Sequence, residues 1–169
     1  RLANAAASLG CSLGEACAGA DVVSFGATKN GAVLAESVVF LDPALAADFK
    51  YVRKQSAQLA SKMRFVSAQF AALLEGGLWL ENAAHANAMA RLLAERAGAV
   101  PGVRITQRVD ANEVFAVLPH DVIAPLQAEF DFYTWDERAD EVRWVTSWDT
   151  TAEDVERLAV AIARELEQA

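Results

Sequence analysis

The chain has 169 residues, is 54% hydrophobic and carries a net charge of −8, enough apolar material for one domain or one and a half with a packed core. The acidic balance, with a pI near 4.7, argues against general affinity for nucleic acid or anionic membranes. No apolar run reaches the length of a transmembrane span, and no signal-peptide pattern opens the chain.

Residues 2–9 suit a helix stopped by Gly10. It begins without an N-cap, and no initiator Met precedes Arg1, so the chain is expected to be a segment of a longer protein. Ser12 and Glu15 predict a capping box for a short helix to about Ala18. Cys11 and Cys17 are too few for a disulfide framework or a zinc site. They read as small core residues in a reducing, cytoplasmic compartment.

The apolar run 22–27 predicts a strand, and residues 32–41 a second. Between them Lys29 precedes Asn30-Gly31, the strongest short hairpin signal. Two readings of Lys29 follow. A lysine at the end of a buried strand is poised to become a neutral, nucleophilic amine, whereas a lysine beside such a turn is ordinarily solvated.

Asp42-Pro43 predicts a helix start, with the helix running to about Gln58. Residues 62–76 form another, with Phe65, Ala68, Ala72 and Leu73 at helical spacing. Gly76-Gly77 breaks it, and residues 79–97 make a third helix with Trp79, Ala83, Ala86, Ala90 and Leu93 on one side. Gly98 to Gly102 is a candidate boundary. Strands at 103–107, 113–118, 131–135 and 142–148 then mix with helices at 121–129 and 152–167, for which Asp121 and Thr151 are candidate caps. That order describes an α+β module with helices on an antiparallel sheet.

Several segments resemble one family. Asp21 to Gly31 (Asp-Val-Val-Ser-Phe-Gly-Ala-Thr-Lys-Asn-Gly) is similar to the cofactor-lysine segment of the threonine aldolase / β-eliminating lyase family of fold type I pyridoxal phosphate (PLP) enzymes. Arg1 to Ala6 resembles the end of that family's Gly-Ala-Arg segment, and Ser12 to Glu15 its second short helix. The matches continue, in order, through Arg53-Lys54, Ser61 to Phe65, Leu78 to Ala83, His85 to Ala90, Asn112 to Phe115 and Val142 to Ser147. The Gly26 to Gly31 variant looks like the bacterial low-specificity L-threonine aldolase subgroup, which includes phenylserine aldolases.

The resemblance implies an α/β fold of the PLP-dependent transferase type. Residues 1–42 would be the C-terminal part of the large domain, 43–98 connecting helices, and 99–169 the small α+β domain. It implies that Lys29 is the Schiff-base lysine, with Thr28, Lys62 and Arg64 near the cofactor phosphate and Lys54 a weaker match. Arg143 and Arg1 would bind the substrate carboxylate, a task suited to a guanidinium fork. On the residues alone, Arg143 also reads as an exposed edge-strand arginine, Thr28 as a plain strand residue and Arg1 as a frayed terminal charge. Asn112 either orients a site group or forms a turn. His85 and His120 read as structural, and no metal-ligand spacing occurs.

The implied activity is cleavage of L-threonine, allo-threonine or related β-hydroxy-α-amino acids such as phenylserine to glycine and an aldehyde. Alternatives on the same scaffold are β-elimination and racemisation. A third is a non-catalytic fragment, inactive without the rest of the site. The implied assembly is a homodimer or homotetramer that includes the missing N-terminal portion, acting on a small amino-acid substrate.

Overall fold

Helix α1 (Leu2–Leu9) forms in the alanine-rich opening and buries Ala3 and Ala6. Gly10 ends it at φ 66, a left-handed conformation that costs glycine nothing, and donates its N–H to the Ala6 carbonyl. Helix α2 (Leu13–Ala16) carries the expected capping box between Ser12 and Glu15. Ser12 donates to the Glu15 carboxylate from its backbone and its side chain, which holds that carboxyl below its ordinary range.

The structure, a computed structural model, describes all residues from Arg1 to Ala169. They form two compact units, Arg1–Asn82 and Ala83–Ala169. In the first, strand β1 (Val22–Gly26) pairs antiparallel with β2 (Glu36–Phe40). The second strand is shorter than expected: Ala32 to Ala35 belong to the connection, whose neck is closed by the Ala27 N–H donating to the Ala35 carbonyl at 2.8 Å. Asn30-Gly31 does not make a two-residue hairpin. It ends a 3₁₀ turn over Thr28–Asn30, and Gly31 at φ 108 supplies the left-handed exit.

Asp42 caps as expected, accepting from the Ala44 N–H at 2.9 Å. The helix behind it is interrupted, however: Pro43–Ala46 is a 3₁₀ turn and α3 covers only Phe49–Gln55, with no buried residue. Without an apolar face to bury, so short a helix gains little from packing. Helix α4 (Arg64–Leu74) starts after Lys62, which lies outside it at φ 60. Its inward side is Val66, Phe70 and Leu73, packed with Ala27, Ala32 and Ala35. Phe65, Ala68 and Ala72 point outward, so the expected face is rotated. Gly76 and Gly77, at φ 74 and 85, break the chain before α5 (Leu78–Gly98). Cys11 and Cys17 are free and half-buried, not core residues.

The second unit has the α+β make-up expected for 99–169 but begins earlier, at Ala83 within α5 and not at the Gly98–Gly102 boundary. Strands β3 (Arg104–Ile105), β4 (Glu113–Val117), β5 (Tyr133–Asp136) and β6 (Glu141–Val145) form an antiparallel sheet in the order β3-β4-β6-β5. Helices α6 (His120–Glu129) and α7 (Ala152–Gln168) and the body of α5 bury one face. There Val114, Ala116, Val142 and Trp144 pack with Leu93, Leu118, Val122, Leu126 and Ile162. Strand alternation therefore puts Glu113, Phe115 and Arg143 on the opposite, open face. Thr151 caps α7 in a box with Asp154. Asp121 caps nothing: the N-cap of α6 is Pro119, and Asp121 sits in the first turn.

His120, at the start of α6, bonds Asp140 at 2.8 Å. The hydrogen bond and charge of Asp140 raise its pKa above the ordinary 6.5. A raised folded-state value stabilises below the ordinary pKa and is lost as pH climbs through the raised one. The melting temperature should therefore fall slightly as pH climbs above the ordinary histidine range, and His120→Asn should flatten that slope. Identical slopes in the two proteins would show that the pair does not couple to folding.

Candidate active site

Lys29 is not at the end of a buried strand. It lies in the 3₁₀ turn after β1, and its side chain is exposed. What fixes it is its neighbour. Asn30 is 5% exposed and donates through Nδ2 to the Trp79 carbonyl at 3.0 Å. Asn82 returns the contact, its Nδ2 donating to the Asn30 carbonyl at 2.9 Å. Two amides thus clamp the lysine turn to the first turn of α5. The backbone that carries the amine is thereby fixed in place, while the Lys29 side chain itself stays exposed.

The clamp has a measurable cost of removal. Asn82→Ala deletes one buried-side hydrogen bond and should destabilise the turn by about 1–2 kcal/mol. Amide hydrogen exchange between Lys29 and Ala32 should accelerate accordingly. Exchange unchanged from the parent would show that Asn82 holds nothing there.

Thr28 and Glu36 complete this end of the hairpin. The Thr28 hydroxyl donates to Glu36 Oε1 at 2.6 Å. Glu36 sits opposite Gly26 in the β1–β2 register, and its carboxylate occupies the space a side chain at Gly26 would fill. Arg1 joins the same group. Its backbone nitrogen is partly buried and lies within electrostatic reach of Lys29 and Glu36. Arg1, Thr28, Lys29 and Glu36 are therefore brought together. Glu36 was missed from the sequence, although Gly26 inside a strand is a signal for a close approach of this kind.

Lys54, Lys62 and Arg64 are all exposed, around the connection between α3 and α4. The Arg64 guanidinium lies over the Phe65 ring at 4.9 Å.

In the second unit Arg143 projects from β6 on the open face of the sheet. Phe115 and Tyr133 are its cross-strand neighbours. Its side chain is 21% exposed, with Nη1 3.8 Å from Glu113 Oε1, and its guanidinium lies 4.9 Å from the Trp135 ring centre. Asn112 is structural: its Nδ2 donates to the Thr146 carbonyl at 2.7 Å, and its own carbonyl accepts from Thr146 N at 3.0 Å. His85 bonds the Thr150 carbonyl at 2.7 Å. No three His, Cys, Asp or Glu side chains gather in a way that could hold a metal ion, and no helix is long and apolar enough to cross a membrane.

An exposed lysine on a turn anchored by Asn30 and Asn82 is the first unit's candidate for covalent chemistry on a carbonyl. Comparison with known proteins gives the family. Residues 1–120 match the β-eliminating lyase family, and the chain belongs to that family. The low specificity L-threonine aldolase of Pseudomonas aeruginosa is 46% identical over 162 residues, 94% of this chain and 46% of that protein. A like-named protein of a second Pseudomonas strain is 44% identical over 165 residues, 96% of this chain and 47% of that protein. The solved threonine aldolase of Leishmania major matches with a TM-score of 0.86 at 31% identity, over 97% of this chain and 49% of that one. The mixed α/β architecture is therefore the one expected. The chain spans about half the length of the relatives it matches.

Proposed function

We propose that this chain is the lysine-bearing part of a cytoplasmic, PLP-dependent aldehyde lyase. Its substrates would be L-threonine, allo-threonine or related β-hydroxy-α-amino acids such as phenylserine, and its products glycine and an aldehyde. The single observation that carries the reading is the exposed Lys29 amine on a turn fixed by Asn30 and Asn82. The names of the relatives set the substrate class, and the family generally depends on PLP.

The donor set suits an aldehyde that carries a phosphate. Lys29 offers the amine that attaches to the aldehyde carbon. Lys62 and Arg64 offer exposed cations for the phosphate, and Thr28 reaches it by turning its hydroxyl away from Glu36. When bound, PLP supplies an electron sink for the bond broken at the substrate's Cα. Arg143 binds the substrate carboxylate through its guanidinium edge, with Arg1 assisting. Fixing that carboxylate restricts rotation about Cα and so selects which of its bonds breaks.

The remaining parts of the reading are organisational. Residues 1–42 belong to a large cofactor-binding domain, 43–98 connect it, and 99–169 form the small domain. The active assembly is a homodimer or homotetramer that includes the portion of the relatives this chain does not cover.

Product analysis on the full-length protein tests the reaction. Glycine with acetaldehyde from L-threonine, or glycine with benzaldehyde from phenylserine, is the expected outcome. Ammonia with a keto acid would assign β-elimination instead, and an inverted amino acid alone would assign racemisation.

A further inference from the structure

Trp135 is placed by an irregularity of the sheet. Tyr133 pairs with Arg143 and Thr134 with Val142, but Asp136, not Trp135, pairs with Glu141. Trp135 is thus the extra residue of a β-bulge, a device that re-aims a side chain from its regular direction. It is 55% exposed, yet its ring is not loose. Phe115, from β4, meets it edge-on at 5.4 Å between centres, and the Arg143 guanidinium lies 4.9 Å from the ring centre.

The rest of the arginine's surroundings hold it weakly. Glu113 approaches to 3.8 Å, a Coulombic pairing beyond hydrogen-bond distance. Arg143 Nε is buried with no hydrogen-bond partner. The aromatic face is therefore a support that orients the plane of the guanidinium, and bidentate binding of a carboxylate depends on that plane.

Resting on the reading of Arg143 as the carboxylate-binding arginine, we propose that Trp135, presented by the β5 bulge and braced by Phe115, is a positioning residue that holds the Arg143 guanidinium ready for the substrate carboxylate. Trp135 touches neither cofactor nor reacting atoms in this role. Its effect falls on binding and not on the bond-breaking step, because the arginine itself is retained.

The test uses the full-length protein with Trp135→Leu, Trp135→Phe and Arg143→Ala, and two binding probes that differ only in the carboxylate, glycine and ethanolamine. Binding is read from the cofactor absorption band, alongside steady-state kinetics with L-threonine. Trp135→Leu is expected to weaken glycine binding and raise KM about fivefold, the size of one cation–π contact, with kcat within about twofold of the parent and ethanolamine binding unchanged. Trp135→Phe, which keeps an aromatic face, should recover most of the loss. Glycine binding untouched by Trp135→Leu but abolished by Arg143→Ala would overturn the role of Trp135 and leave that of Arg143 standing. Equal losses for glycine and ethanolamine would make Trp135 a fold residue and also overturn the proposal. Glycine binding that survives Arg143→Ala would remove both.

Discussion

Lys29→Ala is expected to lower aldol cleavage by the full-length protein on the order of 10³-fold or more, because no other side chain offers an amine on this turn. The same substitution should leave the melting temperature nearly unchanged. Lys29 is exposed and packs against nothing that folding requires, and the turn around it is held by Asn30 and Asn82 through groups the substitution does not touch. That separation makes the experiment informative: loss of activity with an intact fold points to chemistry. Activity within about tenfold of the parent would show that Lys29 is a solvated turn lysine after all.

Leu126→Ala should produce the largest loss of stability. Leu126 is fully buried, on the face of α6 that packs with the second unit's central core. Truncating it removes three methyl or methylene-sized groups' worth of packing and leaves a cavity whose walls, a sheet and two helices, collapse poorly. A cost of about 2–5 kcal/mol follows, readable as a lower urea midpoint at unchanged slope. A cost below about 1 kcal/mol would mean that the core repacks around the gap.

Features set by a few adjacent residues were legible in the sequence. Gly10 ending α1, the Ser12–Glu15 box, Thr151 before α7 and the alternation around Arg143 all depend on local rules, and each stands as expected. The family motif around Lys29 was legible too, and the match over residues 1–120 agrees with it. What failed depended on burial or on distant partners. The helix after Pro43 breaks because its residues find no core to pack against. The inward face of α4 is chosen by Ala27 and Ala35 on the hairpin, which periodicity within α4 alone does not reveal.

The candidate site divides the same way. Residue types announced Lys29, Arg143 and the basic residues near Arg64. Their supports lay hidden because each acts across the chain. Asn82 reaches back to Asn30, Glu36 is set opposite Gly26 by strand register, and Trp135 is turned onto Arg143 by a bulge that no local pattern encodes. Lys29 is found not at a buried strand end but exposed, on a turn held by Asn30 and Asn82.

Borohydride reduction of the full-length protein in the presence of PLP, followed by peptide mass mapping, tests the central claim most directly. The account predicts a single stable cofactor adduct on the peptide that contains Lys29 and none in Lys29→Ala. An adduct on Lys54 or Lys62 instead, or no adduct at all, would contradict it.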